Sequence, residues 1–181
     1  MQRHLASTVL ALSATLLFGL AGSCRAPKAP AAIPVGSFLV ERSVVVPVTP
    51  EAAWSAFVDD FASWWDHSMS EEPYRFFLEA KPGGGFYEIF DASGDGVQHA
   101  LVTFAQRPQR LVFRGPLGLH GAALDMVHTV TFAEAGEGRT EVTVVVRAMG
   151  EVQPGTEAAV NGAWDHFLLG RYQGFVNGTL P

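Results

Sequence analysis

The chain has 181 residues, a formal net charge of −6 and one cysteine. No Lys/Arg cluster is present to neutralise phosphates, which excludes nucleic-acid binding and gives an anionic membrane surface no purchase. A single cysteine leaves no disulfide within the sequence, so an apolar core must hold the fold. That is feasible, because a domain of roughly 150 residues buries about 70% of its unfolded surface.

The length suggests one domain plus a further segment, and the segment is at the front. Arg3 and His4 form a short polar start, and Leu5–Gly22 then runs without a charge. A positive start, an apolar stretch and a small-residue site describe a secretory signal peptide over residues 1–23. Ala, Ser, Thr and Gly dilute the run, which favours a cleaved leader over a span of about 20 apolar residues. Cys24 stands directly after Ala21-Gly22-Ser23, a place that resembles the lipobox of bacterial lipoproteins. The family carries Leu three positions before the cysteine, where this chain has Ala21, so ordinary cleavage after Ser23 is the alternative. Lipidation at Cys24 accounts for the cysteine's position, and two acyl chains supply the membrane affinity that one cannot. Arg25 follows where many bacteria with two membranes use aspartate for inner-membrane retention, which points to outer-membrane sorting. Residues 24–36, rich in Pro and Ala, read as an extended spacer holding a domain off a surface.

The domain expected over residues 37–178 opens with a β-branched strand, Ser37–Val46, ended by Pro47. Thr49 is placed to cap a helix with Pro50 in its first position, and Ala53, Trp54, Phe57 and Val58 follow at helical spacing. A second short helix is expected over Phe61–Trp65. Strands are then predicted over Phe76–Lys81, Phe86–Phe90, Val97–Ala105, Leu111–Arg114, Leu124–Ala133 and Thr140–Ala148. Turns such as Pro82-Gly83-Gly84-Gly85 and Ser93-Gly94-Asp95-Gly96 separate them, which makes an antiparallel meander. A long helix closes the chain, capped by Thr156, with Val160, Trp164, Phe167, Leu168, Phe175 and Val176 as its apolar stripe. Gly162, Gly170 and Gly174 interrupt it, each costing about 1 kcal/mol against Ala. They mark either close approach to a neighbour or a bend. The predicted class is α+β: a curled antiparallel sheet of about seven strands around the long C-terminal helix, with two short helices after the first strand and an apolar volume between the layers.

The segments Val48-Thr49-Pro50-Glu51-Ala52-Ala53-Trp54 and Phe61-Ala62-Ser63-Trp64-Trp65 resemble the opening of START-like (SRPBCC) domains. The closest branch is the one named after the activator of a heat-shock chaperone's ATPase. Lys81-Pro82-Gly83-Gly84-Gly85-Phe86, Pro108-Gln109-Arg110-Leu111-Val112-Phe113, His128-Thr129-Val130-Thr131-Phe132 and Asn161-Gly162-Ala163-Trp164 extend the likeness over residues 38–178. The resemblance implies a helix-grip fold with an internal cavity. Relatives bind lipids, sterols, polyketides or plant hormones, and some branches are cyclases or dehydratases. The chaperone-activator role belongs to a cytosolic partner, so an export signal argues against it.

Four tryptophans and thirteen phenylalanines make the interior aromatic, each large ring burying about 150–250 Å². The side chains expected to face a ligand are Trp54, Trp65, Trp164, Phe167 and Leu168 from the helical parts, and Phe86, His99, Phe113, Met126 and His128 from the strands. Strand alternation puts His128 on the face of Met126, Val130 and Phe132. It is either a satisfied structural histidine or a general acid–base, and His99 approaches it if the two strands share one cavity. His67 follows Trp64-Trp65-Asp66 in a loop at the sheet's mouth, where it is a surface residue or lines an entrance. Asp165 and His166 point about 100° apart on a helix and cannot act as a pair. The sequence has no HExxH, no paired cysteines and no His-x-His, so no metal is expected, catalytic zinc usually having three protein ligands. No cofactor motif is present: the glycine turn at 83–85 lacks the Lys-Ser/Thr of a P-loop, and no serine sits in Gly-x-Ser-x-Gly.

The reading is an exported, membrane-tethered binding or carrier domain for a small apolar or amphipathic molecule. One rival is a cyclase- or isomerase-type cavity enzyme using His128, with His99 as a second candidate. The other is a domain that docks an envelope protein through the sheet's outer face.

Overall fold

The computed structural model describes residues 32–180. The expected signal peptide, Cys24 and most of the expected spacer lie outside the described residues. From Ile33 onward the chain forms one compact unit. Its elements are β1 (Val35–Val46), α1 (Pro50–Val58), α2 (Phe61–Trp64), β2 (Arg75–Leu78), β3 (Gly85–Ile89), β4 (Gly96–Gln106), β5 (Arg110–Arg114), β6 (Leu124–Glu134) and β7 (Thr140–Glu151). The C-terminal helix follows as α3 (Thr156–Trp164), a π-helical stretch (Asp165–Tyr172) and α4 (Gln173–Val176). Among the described residues no helix is long and apolar enough to cross a membrane.

The strands form one seven-stranded sheet in the order β1-β7-β6-β5-β4-β3-β2, every neighbouring pair antiparallel. Consecutive strands from β2 to β7 are neighbours, as a meander requires, and β1 joins beside β7. The inward face follows period two. In β6 it is Leu124, Met126, His128, Val130 and Phe132. In β7 it is Thr140, Val142, Val144, Val146 and Ala148. The register sets Phe132 opposite Val142, Val130 opposite Val144 and His128 opposite Val146, which are the cross-strand pairs that stabilise a sheet.

β4 breaks the alternation. Phe86 pairs with Ala100 but the next residue, Tyr87, pairs with Gln98. His99 is therefore the extra residue of a β-bulge, and bulges re-aim side chains. His99 and Ala100 are both buried as a result, at 5% and 3% exposure.

Thr49 caps α1 as expected, its hydroxyl accepting from the Ala52 N–H at 3.4 Å. Trp54 and Phe57 of α1 pack on Phe132 at ring separations of 5.4 and 5.7 Å.

Three expectations need correction. β1 begins at Val35, inside the stretch assigned to the spacer, because Val35 still pairs with Glu151 of β7. β2 ends at Leu78, since Glu79 to Gly84 fold into a turn in which Lys81 N–H donates to Glu79 O and Gly84 N–H to Lys81 O. Thr156 does not cap the C-terminal helix. Gly155 does, at φ +90° and without a side-chain bond, a left-handed conformation that only a residue lacking Cβ adopts cheaply.

The expected long helix is continuous, with helical dihedrals at Asp165 and Gln173, but its middle is π-helical. A Cβ added at Gly162 would meet nothing within 4 Å, and at Gly170 only the Asp165 carbonyl at 3.9 Å. Neither glycine marks close approach to sheet or cavity. The π stretch, rare and often found at functional sites, buries Phe167, Leu168 and Tyr172, and the Tyr172 hydroxyl donates to the Ala53 carbonyl at 2.8 Å.

Candidate ligand-binding cavity

A cavity of about 330 Å³ lies between the inward face of the sheet and the C-terminal helix, at the low end of the range of about 300–1,000 Å³ for small-molecule sites. Its walls come from four places: the loop after α2, strands β3, β4 and β6, the β5–β6 loop, and the helix from Ala159 to Phe167. Ser68, Met69, Gly118 and Leu119 line it while being exposed, so they form its mouth.

The interior is aromatic. Trp65 stacks on Phe167 at 3.8 Å with 10° between the rings and meets Phe86 edge-on at 5.2 Å. Phe86 lies 4.5 Å from the His99 ring. Met126, His128 and Trp164 complete the expected residues that line the cavity. Trp54, Phe113 and Leu168 do not line it. Trp54 is taken by Phe132 in the core. Phe113 stands beside His128 in the ladder and stacks behind its ring at 4.8 Å. Leu168, fully buried, follows Phe167 on the helix, and successive helical residues point in different directions.

His128 is wholly buried. Its Nε2 bonds the Gly115 carbonyl at 3.2 Å, and its Nδ1 has no partner among the described residues. Burial pushes the imidazole down to about 4, against a small opposing effect of the Gly115 carbonyl. It is neutral at pH 7 and a poor general base, because a catalytic pKa works best near the operating pH.

His99 is better placed for proton chemistry. Its Nε2 donates to Glu88 Oε2 at 3.0 Å, and its Nδ1 lies 3.3 Å from both the Leu117 carbonyl and His120 Nε2. One proton on the ring lets Nδ1 accept from His120, and two let it donate to Leu117. Burial lowers the His120 pKa, and the neighbouring His99 lowers it further. Glu88 is fully buried. It accepts from the Met69 N–H at 2.9 and 2.8 Å, the Ser70 N–H at 2.7 Å and the Ser70 hydroxyl at 2.9 Å. Burial works to raise its pKa, but the Met69 and Ser70 N–H groups, with His99 and the Ser70 hydroxyl, outweigh it and hold the carboxyl below its ordinary value. One carboxylate thus anchors the loop over the cavity's mouth and orients the histidine in its wall.

His99 and His128 line one cavity without bonding each other. Glu88 was missed in the sequence, although it shares the alternating face of Phe86. Ser68, Met69, Gly118 and Leu119 carried no signal, because what lines a mouth depends on which loops fold over it. His67 does line the mouth. Asp165 and His166 diverge as expected: Asp165 pairs with Arg42, and His166 with Asp66.

A family model described as polyketide cyclase / dehydrase and lipid transport matches residues 37–178. No curated protein matches the chain at a significant level. Among solved structures, the Staphylococcus aureus protein SA2116, of unknown function, is similar at 14% identity over 82% of this chain and 98% of its own, with a TM-score of 0.59. Protein CV1439 from Chromobacterium violaceum is 21% identical over 76% of this chain and 96% of its own, with a TM-score of 0.51. CalU16 from Micromonospora echinospora is 17% identical over 81% of this chain and 78% of its own, also at 0.51. These similarities concern the fold alone.

Proposed function

This chain belongs to the polyketide cyclase/dehydrase and lipid-transport family, and from that membership we propose that it binds and carries a small apolar or amphipathic molecule. The carrying observation is the cavity itself, about 330 Å³ walled by Trp65, Phe86, Met126, Trp164 and Phe167 with few polar groups, the composition expected of a small-molecule site. The test is native mass spectrometry of the chain from residue 25, purified without detergent, alongside organic extraction. A near-stoichiometric bound molecule supports the reading. A clean apo mass, with Trp65 and Trp164 fluorescence unmoved by long-chain fatty acid or sterol, overturns it.

A second reading, a cavity enzyme of cyclase or isomerase type, is favoured by the Glu88–His99 pair in the cavity wall, and its base is His99 rather than His128. His99→Gln then abolishes turnover of a bound substrate while leaving ligand affinity within a few fold.

We further propose that the domain works on the periplasmic or cell-envelope side, exported by residues 1–23 and tethered through a lipidated Cys24, with Arg25 after the cysteine favouring the outer membrane. What supports this is the charge-free run ending in Ala21-Gly22-Ser23-Cys24 followed by a Pro/Ala spacer. Labelling cells with a palmitate analogue should mark the protein and spare Cys24→Ser. Unlabelled protein in the soluble envelope fraction would refute the tether.

A further inference from the structure

At the rim of the cavity two imidazoles and a carboxylate converge from distant parts of the chain. Asp66 and His67 follow α2, and His166 lies in the π-helical stretch a hundred residues later. Asp66 Oδ1 accepts from His67 Nδ1 at 2.9 Å and from His166 Nε2 at 2.8 Å. One ligand atom from each of the three residues lies within 4.8 Å of the others.

The surroundings hold this geometry. Arg171 Nε donates to the other carboxylate oxygen, Asp66 Oδ2, at 3.1 Å and to the Trp64 carbonyl at 3.2 Å, which leaves Oδ1 to the two rings. Phe167 meets the His67 ring at 4.9 Å and the His166 ring at 5.1 Å, and the two imidazoles are 5.0 Å apart. The side chains of Asp66, His67 and His166 are 33%, 67% and 42% exposed, so a hydrated ion reaches them.

We propose that Asp66, His67 and His166 bind a divalent transition-metal ion of the zinc class. As the site stands, two imidazole N–H groups point at one carboxylate oxygen. Moving each proton to the other ring nitrogen leaves two lone pairs directed at Asp66 Oδ1, and an ion enters between the three atoms as the carboxylate draws back. Zinc bonds of about 2.0–2.2 Å place tetrahedral ligand atoms about 3.3 Å apart. The two N···O distances must open by about half an ångström and the two ring nitrogens, within 4.8 Å of each other, must settle at the same spacing, adjustments within reach of exposed side chains. Two imidazoles with one carboxylate suit zinc, copper, nickel or iron rather than calcium or magnesium. Three protein ligands leave a coordination position open. Because His67 also lines the cavity, that position sits at the cavity's mouth. Arg171 is the partner that orients the ligating carboxylate, as outer-shell groups do at metal sites. The opposing view is a surface ion-pair network, which binds nothing and contributes little to stability.

The site does not depend on the cavity being filled, so its test stands apart from the carrier reading. Tag-free protein carrying Cys24→Ser, so that no thiol competes, is stripped with chelator and titrated with Co(II), then with Zn(II). The expected result is one equivalent of Co(II) with ligand-field absorption, displaced by Zn(II), and selective paramagnetic broadening of the His67 and His166 ring signals. His166→Ala and His67→Ala abolish saturable binding, and Arg171→Gln weakens it roughly 10–100-fold. His120→Ala, in the separate His99 cluster, leaves it unchanged. No saturable binding below millimolar metal, or binding that survives His166→Ala, overturns the proposal.

Discussion

Acidifying the protein should remove a defined part of its stability through His128. In the folded state burial lowers this imidazole from 6.5 to about 4, whereas in the unfolded chain it titrates near 6.5. Above pH 6.5 both states hold it neutral and the linkage contributes nothing. As the pH falls below 6.5 the unfolded state takes up a proton that the folded state refuses, so stability declines until about pH 4, where both are charged. At about 1.4 kcal/mol per pH unit of separation, the loss is roughly 3 kcal/mol. For a domain of this size that is a Tm drop of roughly 6–12 °C. The assay is urea unfolding followed by tryptophan fluorescence at pH values between 7 and 4, on the native protein and on His128→Gln. The glutamine amide reproduces the donor to the Gly115 carbonyl and carries no titrating group, so the difference between the two curves isolates His128 from His120 and the carboxylates. Parallel curves would show that His128 is protonated at no cost, and the argument from burial would be wrong.

Glu88→Leu leaves the Met69 and Ser70 N–H groups and His99 without their acceptor, and breaking such a buried pair costs about 3–5 kcal/mol. Hydrogen exchange at Met69 and Ser70 should accelerate ahead of the sheet. The lowered Glu88 pKa adds stability present above the ordinary carboxylate value and lost as pH falls through the folded one, and Glu88→Gln should remove that acid-side component. Ala163→Trp, projecting into the cavity from α3, should abolish uptake of apolar probes while keeping the far-UV circular dichroism spectrum. Tyr172→Phe removes the bond to the Ala53 carbonyl and should cost about 1 kcal/mol in chemical denaturation.

Local rules settled most of the architecture. Period-two alternation in Leu124–Phe132 identified the inward face of β6, including His128, because side chains on a strand have only two directions to take. Thr49-Pro50 marked the start of α1, and the glycine turns separated the strands, since caps and turns are chosen by residues within a few positions of each other. The chain's own order also foretold the meander and the helix that packs across it.

What the sequence did not contain was set by contacts between residues far apart. The bulge that turns His99 inward arises from how β3 and β4 pair, and no residue of β4 announces it. Glu88 became the anchor of the cavity's mouth only when the loop after α2 folded over it and presented two N–H groups. His128 is a neutral, weakly basic ring because the helix and sheet exclude water from both sides, which a strand pattern cannot report. Asp66, His67 and His166 meet because the π-helical stretch swings across the end of α2. Sequence spacing records neighbours along the chain, whereas a cluster of this kind exists only once separate elements have packed.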